Sequence, residues 1–257
     1  MKKIFFTSAV VLFLFAGLEN AIAQNSYTAK KDVTLKFKGE DGTNSCAVVW
    51  NSDKHVYYAV IAGNADYPLE TFSQSGNLQY NGTTGVDVRG LWYNSKSAKL
   101  EGNGAGDVGF FAYSLNASGE PRDAEIVLSG QHQPDFQSVG AFDSGKQMIY
   151  YYIDGSIKTY KRKSGKESKS FDLKNIPSGT SSLNGTTVVF TGRKGEELGV
   201  LDYENQKVYL CDLKGNYKAS VSFPSNAVTS DMFRFSFANG KIWLYDVDSR
   251  SWSGYSF

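Results

Sequence analysis

The chain has 257 residues, with 27 Lys and Arg against 26 Asp and Glu, 16 tyrosines, 17 phenylalanines, 26 glycines and 5 prolines. That length allows one large domain or two small ones, and an aromatic-rich, proline-poor composition excludes a disordered chain. Removing Lys2, Lys3 and Glu19 with the leader described next leaves 25 basic and 25 acidic residues. A neutral chain of this kind is not expected to bind nucleic acid by neutralising phosphates.

The first element is an export signal. Two lysines precede an apolar run over residues 4–18, and Ala21-Ile22-Ala23 stands before Gln24. This is the order of basic region, apolar region and small-residue cleavage site. Cleavage is expected after Ala23, with residues 24–257 folding as a single domain. The apolar run is shorter than the ~20 residues a spanning helix needs, so no membrane span is predicted and the product is expected to be periplasmic or secreted.

Next comes a strand-like segment at 33–37 that belongs to no repeat. After it, an aromatic residue followed by a small polar turn ending in lysine recurs five times: Trp50 with Lys54, Tyr93 with Lys96, Phe142 with Lys146, Phe190 with Lys194 and Phe237 with Lys241. A turn glycine keeps the same period, at Gly76, Gly119, Gly165 and Gly215. Between these markers lie short alternating runs rich in Val, Tyr, Phe and Thr, the signal of strands; no segment has capped helical spacing. Repeat three predicts strands at 138–142, 147–153, 156–161 and 169–173, and repeat four at 186–191, 197–202, 207–213 and 217–223. Repeat five supplies 233–237, 241–247 and 251–257, then ends one strand short.

Four antiparallel strands repeated about every 47 residues match a β-propeller blade, whose two apolar faces only neighbouring blades can cover. The predicted fold is all-β, a five-bladed propeller in which the segment at 33–37 closes the last blade and leaves no open edge. Six blades, should residues 27–37 open a degenerate one, and a two-sheet sandwich are the alternatives. On these markers the chain resembles the β-propeller superfamily over its whole mature length. It lacks the dipeptide signature of WD40 repeats. Five-bladed animal lectins are the nearest architectural analogue, although their repeats are far more alike than these.

Cys46 and Cys211 fall in strand-like runs of different blades, so two buried thiols are expected and no disulfide. The tyrosines of the B strands, Tyr57, Tyr58 and 150–152, are expected to pack between blades.

Propeller ligands usually meet the face that carries the D-to-A and B-to-C loops, an expectation from architecture alone. The D-to-A loops and the strand starts after them offer Asp87, Arg89, His132, Asp135, Gln137, Asp231 and Arg234 as candidate ligand-binding residues. Each Asp is also a common turn former. Two histidines, no paired cysteines and no H-E-x-x-H predict neither metal nor cofactor, and no nucleophile elbow or phosphate loop is present. No catalytic residue is assigned. The main expectation is an exported, non-catalytic binding or scaffold protein for a protein or glycan partner, a monomer or part of an envelope assembly. The alternative is a carbohydrate-active hydrolase with carboxylates from the D-to-A loops.

Overall fold

The computed structural model describes residues 24–257; the expected export signal, 1–23, lies outside the described residues. Two strands precede the first repeat, β1 (Asn25–Thr28) and β2 (Lys30–Lys36). Blade 1 is β3 (Asn44–Asn51), β4 (Val56–Ala62), β5 (Pro68–Ser73) and β6 (Leu78–Thr83). Blade 2 is β7 (Val88–Asn94), β8 (Lys99–Gly104), β9 (Phe110–Leu115) and β10 (Pro121–Leu128). Blade 3 is β11 (Ala141–Asp143), β12 (Met148–Ile153), β13 (Ser156–Lys161) and β14 (Glu167–Asp172). Blade 4 is β15 (Leu183–Phe190), β16 (Leu198–Asp202), β17 (Lys207–Cys211) and β18 (Tyr217–Ser222). Blade 5 is β19 (Phe235–Ala238), β20 (Lys241–Asp246) and β21 (Ser251–Ser256), with β2 as its outer strand.

The ring closes as the sequence predicts. β2 pairs antiparallel with β21, Leu35 opposite Trp252, and both side chains are fully buried. One feature is additional: β1 lies parallel to β18 as a fifth strand of blade 4. The N-terminal segment therefore stitches blade 4 to blade 5.

The core lies between blades, and this explains both sequence markers. Phe142 stacks on Trp92 of the preceding blade at 5.3 Å between centroids, and Phe190 stacks on Tyr150 at 5.6 Å. Tyr93 donates its hydroxyl to Asp53 of blade 1 at 2.5 Å. Trp50 and Phe237 join the cores shared with blades 5 and 4. The marker glycines make the matching contact at the other end of each blade. Gly215, with φ +81°, comes so close to blade 3 that a Cβ would lie 2.2 Å from the Asp172 carbonyl oxygen; at Gly76, φ +88°, the same distance to the Thr34 carbonyl oxygen is 2.3 Å. Only glycine fits such a position. Each repeat is thus marked by the residues that lean on its predecessor.

The B-strand tyrosines are buried as expected, and Cys46 and Cys211 are free, buried thiols in blades 1 and 4. The A-to-B and C-to-D turns open on one face of the ring, here the turn face; the B-to-C and D-to-A connections form the loop face. Among the described residues no helix is long and apolar enough to cross a membrane.

Candidate functional site

The loop face is organised around Arg89, at the start of the innermost strand of blade 2. Its guanidinium forms a forked pair with Asp87: Nη1 donates to Oδ1, and Nη2 donates to Oδ2 at 3.2 Å. Nε donates to Gln137 Oε1 of blade 3 at 2.7 Å, and the Phe233 ring lies 5.9 Å from Arg89 Cζ. Asp87 Oδ1 also accepts the Gly63 N–H of blade 1 at 2.8 Å. Residues of blades 1, 2 and 3 and the loop entering blade 5 therefore meet at one guanidinium. Arg89 and Phe233 are each only 6% exposed, so together they plug the loop end of the axis. A forked charge-assisted pair of this kind fixes the geometry of both residues, with the Arg89 side chain 7% and the Asp87 side chain 29% exposed.

Arg234 begins β19's approach to the axis. Its Nη2 donates to Asn44 Oδ1 at 2.9 Å, while its Nε is buried without a partner among the described residues. Phe233 and Arg234 both adopt positive φ, +46° and +56°, a conformation rare for two adjacent non-glycine residues. His132 stands away from this group. Its Nε2 donates to the Ser129 carbonyl at 2.9 Å, and its ring packs 5.5 Å from Phe110 and directly over Gly165. It occupies the seam between blades 2 and 3.

The remaining carboxylates collect beside the plug, in the seam between blades 3 and 4. Asp135 and Asp154 line one cavity of about 190 Å³ together with Ser138, Tyr152, Gly185 and Thr186. A second cavity of about 370 Å³ shares Tyr152, Asp154 and Gly185 with it and continues past Thr180. Asp135 Oδ1 accepts the Gln137 N–H at 2.8 Å, which fixes the carboxylate and leaves Oδ2 uncommitted. Asp231 flanks the groove, its carbonyl accepting the Gly185 N–H at 2.7 Å. Burial pushes the Tyr152 hydroxyl above its ordinary value, against the Gly155 N–H, so it stays protonated and able to donate at neutral pH.

Of the seven residues proposed from sequence, Asp135 lines the groove and Asp231 reaches its edge only through its backbone carbonyl; Arg89, Asp87 and Gln137 build the plug, Arg234 adjoins it, and His132 is elsewhere. Sequence reasoning missed Asp154 and Tyr152. Asp154 is the first residue of the two-residue turn joining β12 to β13, and its φ of +47° followed by +80° at Gly155 is the hairpin geometry that Asp-Gly favours. That turn signal was visible; its place opposite the next blade was not. Among the described residues no three His, Cys, Asp or Glu side chains gather as a metal site.

No family model and no curated protein matches the sequence. Among solved structures, the crystal structure of Myxococcus xanthus glutaminyl cyclase is similar, with a TM-score of 0.59 over 90% of this chain and 97% of that one, at 10% identity. That likeness establishes the fold. It also corrects the expectation of a non-catalytic binding or scaffold protein: a ring of this architecture, similar over nearly all of both chains, belongs to an enzyme. The missing catalytic motif is no argument against catalysis, because loops from different blades supply a propeller's site and leave no contiguous signature.

Proposed function

We propose that the protein is an enzyme that runs acid–base chemistry in the groove between blades 3 and 4, and that it is a carbohydrate-active hydrolase working outside the cytoplasm. One observation carries this reading: Asp135 and Asp154, from different loops, line a single open cavity. Glycoside hydrolysis needs two carboxyl groups flanking the scissile bond, one to protonate the leaving oxygen and one to act on the opposite side of the sugar. Asp135, steadied by the Gln137 N–H, suits the second role, and Asp154 is the carboxyl across the cavity left for the first.

The similar structure favours a second reading on the same groups, cyclisation of an N-terminal glutamine. There a carboxylate takes a proton from the attacking α-amine, and a donor such as the Tyr152 hydroxyl or a protonated carboxyl assists departure of ammonia.

Residues 24–257 incubated with a panel of nitrophenyl glycosides should release nitrophenol, and Asp135→Asn or Asp154→Asn should each lower kcat by about 100-fold or more. Ammonia release from a glutaminyl peptide, lost in the same variants, would instead support cyclisation. Turnover that both variants retain would remove the groove from either reaction.

A further inference from the structure

The opposite face carries a second site, independent of the reading above. An axial cavity of about 230 Å³ is lined by the innermost strands of all five blades, from Cys46 to Trp50, Leu91 to Tyr93, Val139 to Phe142, Thr187 to Phe190 and Phe235 to Asn239. Its lining begins two residues beyond Arg89 and two beyond Phe233, so the plug closes it toward the loop face. Its mouth therefore opens on the turn face. There the five marker aromatics, Trp50, Tyr93, Phe142, Phe190 and Phe237, each line the cavity and each remain partly exposed.

One turn farther out lies a ring of cations: Lys54, Lys96, Lys146, Lys194 and Lys241, one from each blade. Lys54, Lys96, Lys146 and Lys194 are exposed. Lys54 and Lys96 each spend one of three donors on a carbonyl of the next blade, at 2.9 and 3.0 Å. The acidic groups of the same turns are mostly engaged: Asp53 accepts the Tyr93 hydroxyl, Asp143 lies 3.8 Å from Lys146 Nζ and accepts that residue's N–H, and Glu196 pairs with Arg193 at 3.2 Å. Glu197 opposes the trend, with Oε2 buried and unpartnered. Lys241 is offset by Asp32 at 3.1 Å.

The loop face has the opposite sign, with Asp66, Asp107, Asp154, Asp87, Asp135 and Asp231 in its connections. A chain that is neutral beyond its leader thus divides its charge between two faces. Inter-blade packing accounts for the aromatics. Inter-blade contact also engages one donor each of Lys54 and Lys96, and Lys241 is drawn to the outer strand; it does not account for Lys146 and Lys194, or for the donors that Lys54 and Lys96 keep.

We infer that the axial cavity of the turn face binds a small planar anion, an aromatic or conjugated carboxylate or sulfonate, its ring among the marker aromatics and its charge at the lysine ring. Part of the inner-strand backbone is already engaged between blades, at Val48, Val139 and Gly140, so the ligand's polar contact comes chiefly from the lysines, while the aromatic rim covers its apolar faces.

Binding is tested with 8-anilinonaphthalene-1-sulfonate, an anionic aromatic dye, and with the neutral N-phenyl-1-naphthylamine as its control. Saturable dye fluorescence with one site per chain is expected, weakened by added salt. Trp50, the one tryptophan lining the mouth that is partly exposed, should be quenched in step with binding, and Trp50→Phe should remove that quenching while the dye still binds. The triple variant Lys54→Gln, Lys146→Gln, Lys194→Gln should bind the dye roughly tenfold more weakly with its unfolding temperature little changed, and Asp135→Asn should bind it as the parent does. Equal binding by the triple variant, equal binding of the neutral dye, or loss of binding in Asp135→Asn would each overturn the proposal. None of these outcomes depends on turnover in the blade 3 and 4 groove.

Discussion

Arg162, in the C-to-D turn of blade 3, donates its Nε to Glu101 Oε2 of blade 2 at 2.7 Å. The carboxylate also accepts Trp92 Nε1, Asn94 Nδ2 and Ser97 Oγ, and its side chain is only 3% exposed. The hairpin of one blade thus satisfies the buried charge of its predecessor. Removing one partner of such a pair leaves the other buried and uncompensated. Arg162→Met should lower stability by about 3 kcal/mol or more, read as a fall in the urea midpoint with the slope unchanged. A loss within the range of exposed surface pairs, under about 1 kcal/mol, would show that water reaches Glu101.

Glu70 gives the protein a pH dependence of unusual sign. Burial raises its pKa, and the Gly39 and Lys38 N–H groups at 3.0 Å, with Arg250 and Lys38 nearby, only partly offset this. A carboxyl whose folded pKa lies above its unfolded value binds its proton more tightly in the native state. Its contribution to stability is full below about 4.3, the usual glutamate value, and is lost as pH rises through the folded pKa. Glu70→Gln keeps an oxygen for both N–H groups. The variant should show a smaller decline in stability between pH 4 and pH 7 than the parent, measured by urea unfolding across that range.

Gly215 and Gly240 share a positive φ, +81° and +70°, but differ in surroundings. Nothing lies within 4 Å of a Cβ at Gly240, whereas one at Gly215 meets backbone of blade 3 at 2.2 Å. Gly240→Ala should cost about 1–2 kcal/mol, the left-handed backbone term alone. Gly215→Ala should cost a further 1–3 kcal/mol or so, because blade 3 must shift. Equal losses in thermal unfolding would mean that the C-to-D hairpin yields without disturbing its neighbour.

Burial pushes both thiols up, Cys46 and Cys211 each to about 12. The thiolate is the reactive species, so neither cysteine should react with an aromatic disulfide reagent in the native state. Both should react in concentrated urea, giving two thiols per chain. One thiol titrating in the native protein would place a blade seam in exchange with solvent.

The fold was legible because the contacts that build a ring repeat with it. Phe142 on Trp92 recurs as Phe190 on Tyr150, and Gly215 on Asp172 recurs as Gly76 on Thr34, so both residue types return at the blade period. The orphan segment before blade 1 was legible for a related reason, since blade 5 ends a strand short. β1 was not: it adds to the outer edge of blade 4, and an edge strand with one neighbour needs little apolar patterning. The site was legible only in part. Asp135 could be assigned to the right face, but whether it faced Asp154, Asp87 or solvent depends on how far adjacent blades rotate, which no local pattern encodes. The plug was hidden for the same reason: Arg89 and Phe233 lie 144 positions apart in sequence and meet only at the axis.

The stitch made by β1 and β2 sets an order of events. Those residues are made before any blade, yet their partners at 219–222 and 251–256 are among the last to be made. For most of synthesis β1 and β2 themselves have no partner strand, and contacts of such long sequence separation form slowly. The nascent chain must hold several finished blades as an open arc with sticky ends, and it becomes protease-resistant in one late step, when its oldest strands find its youngest.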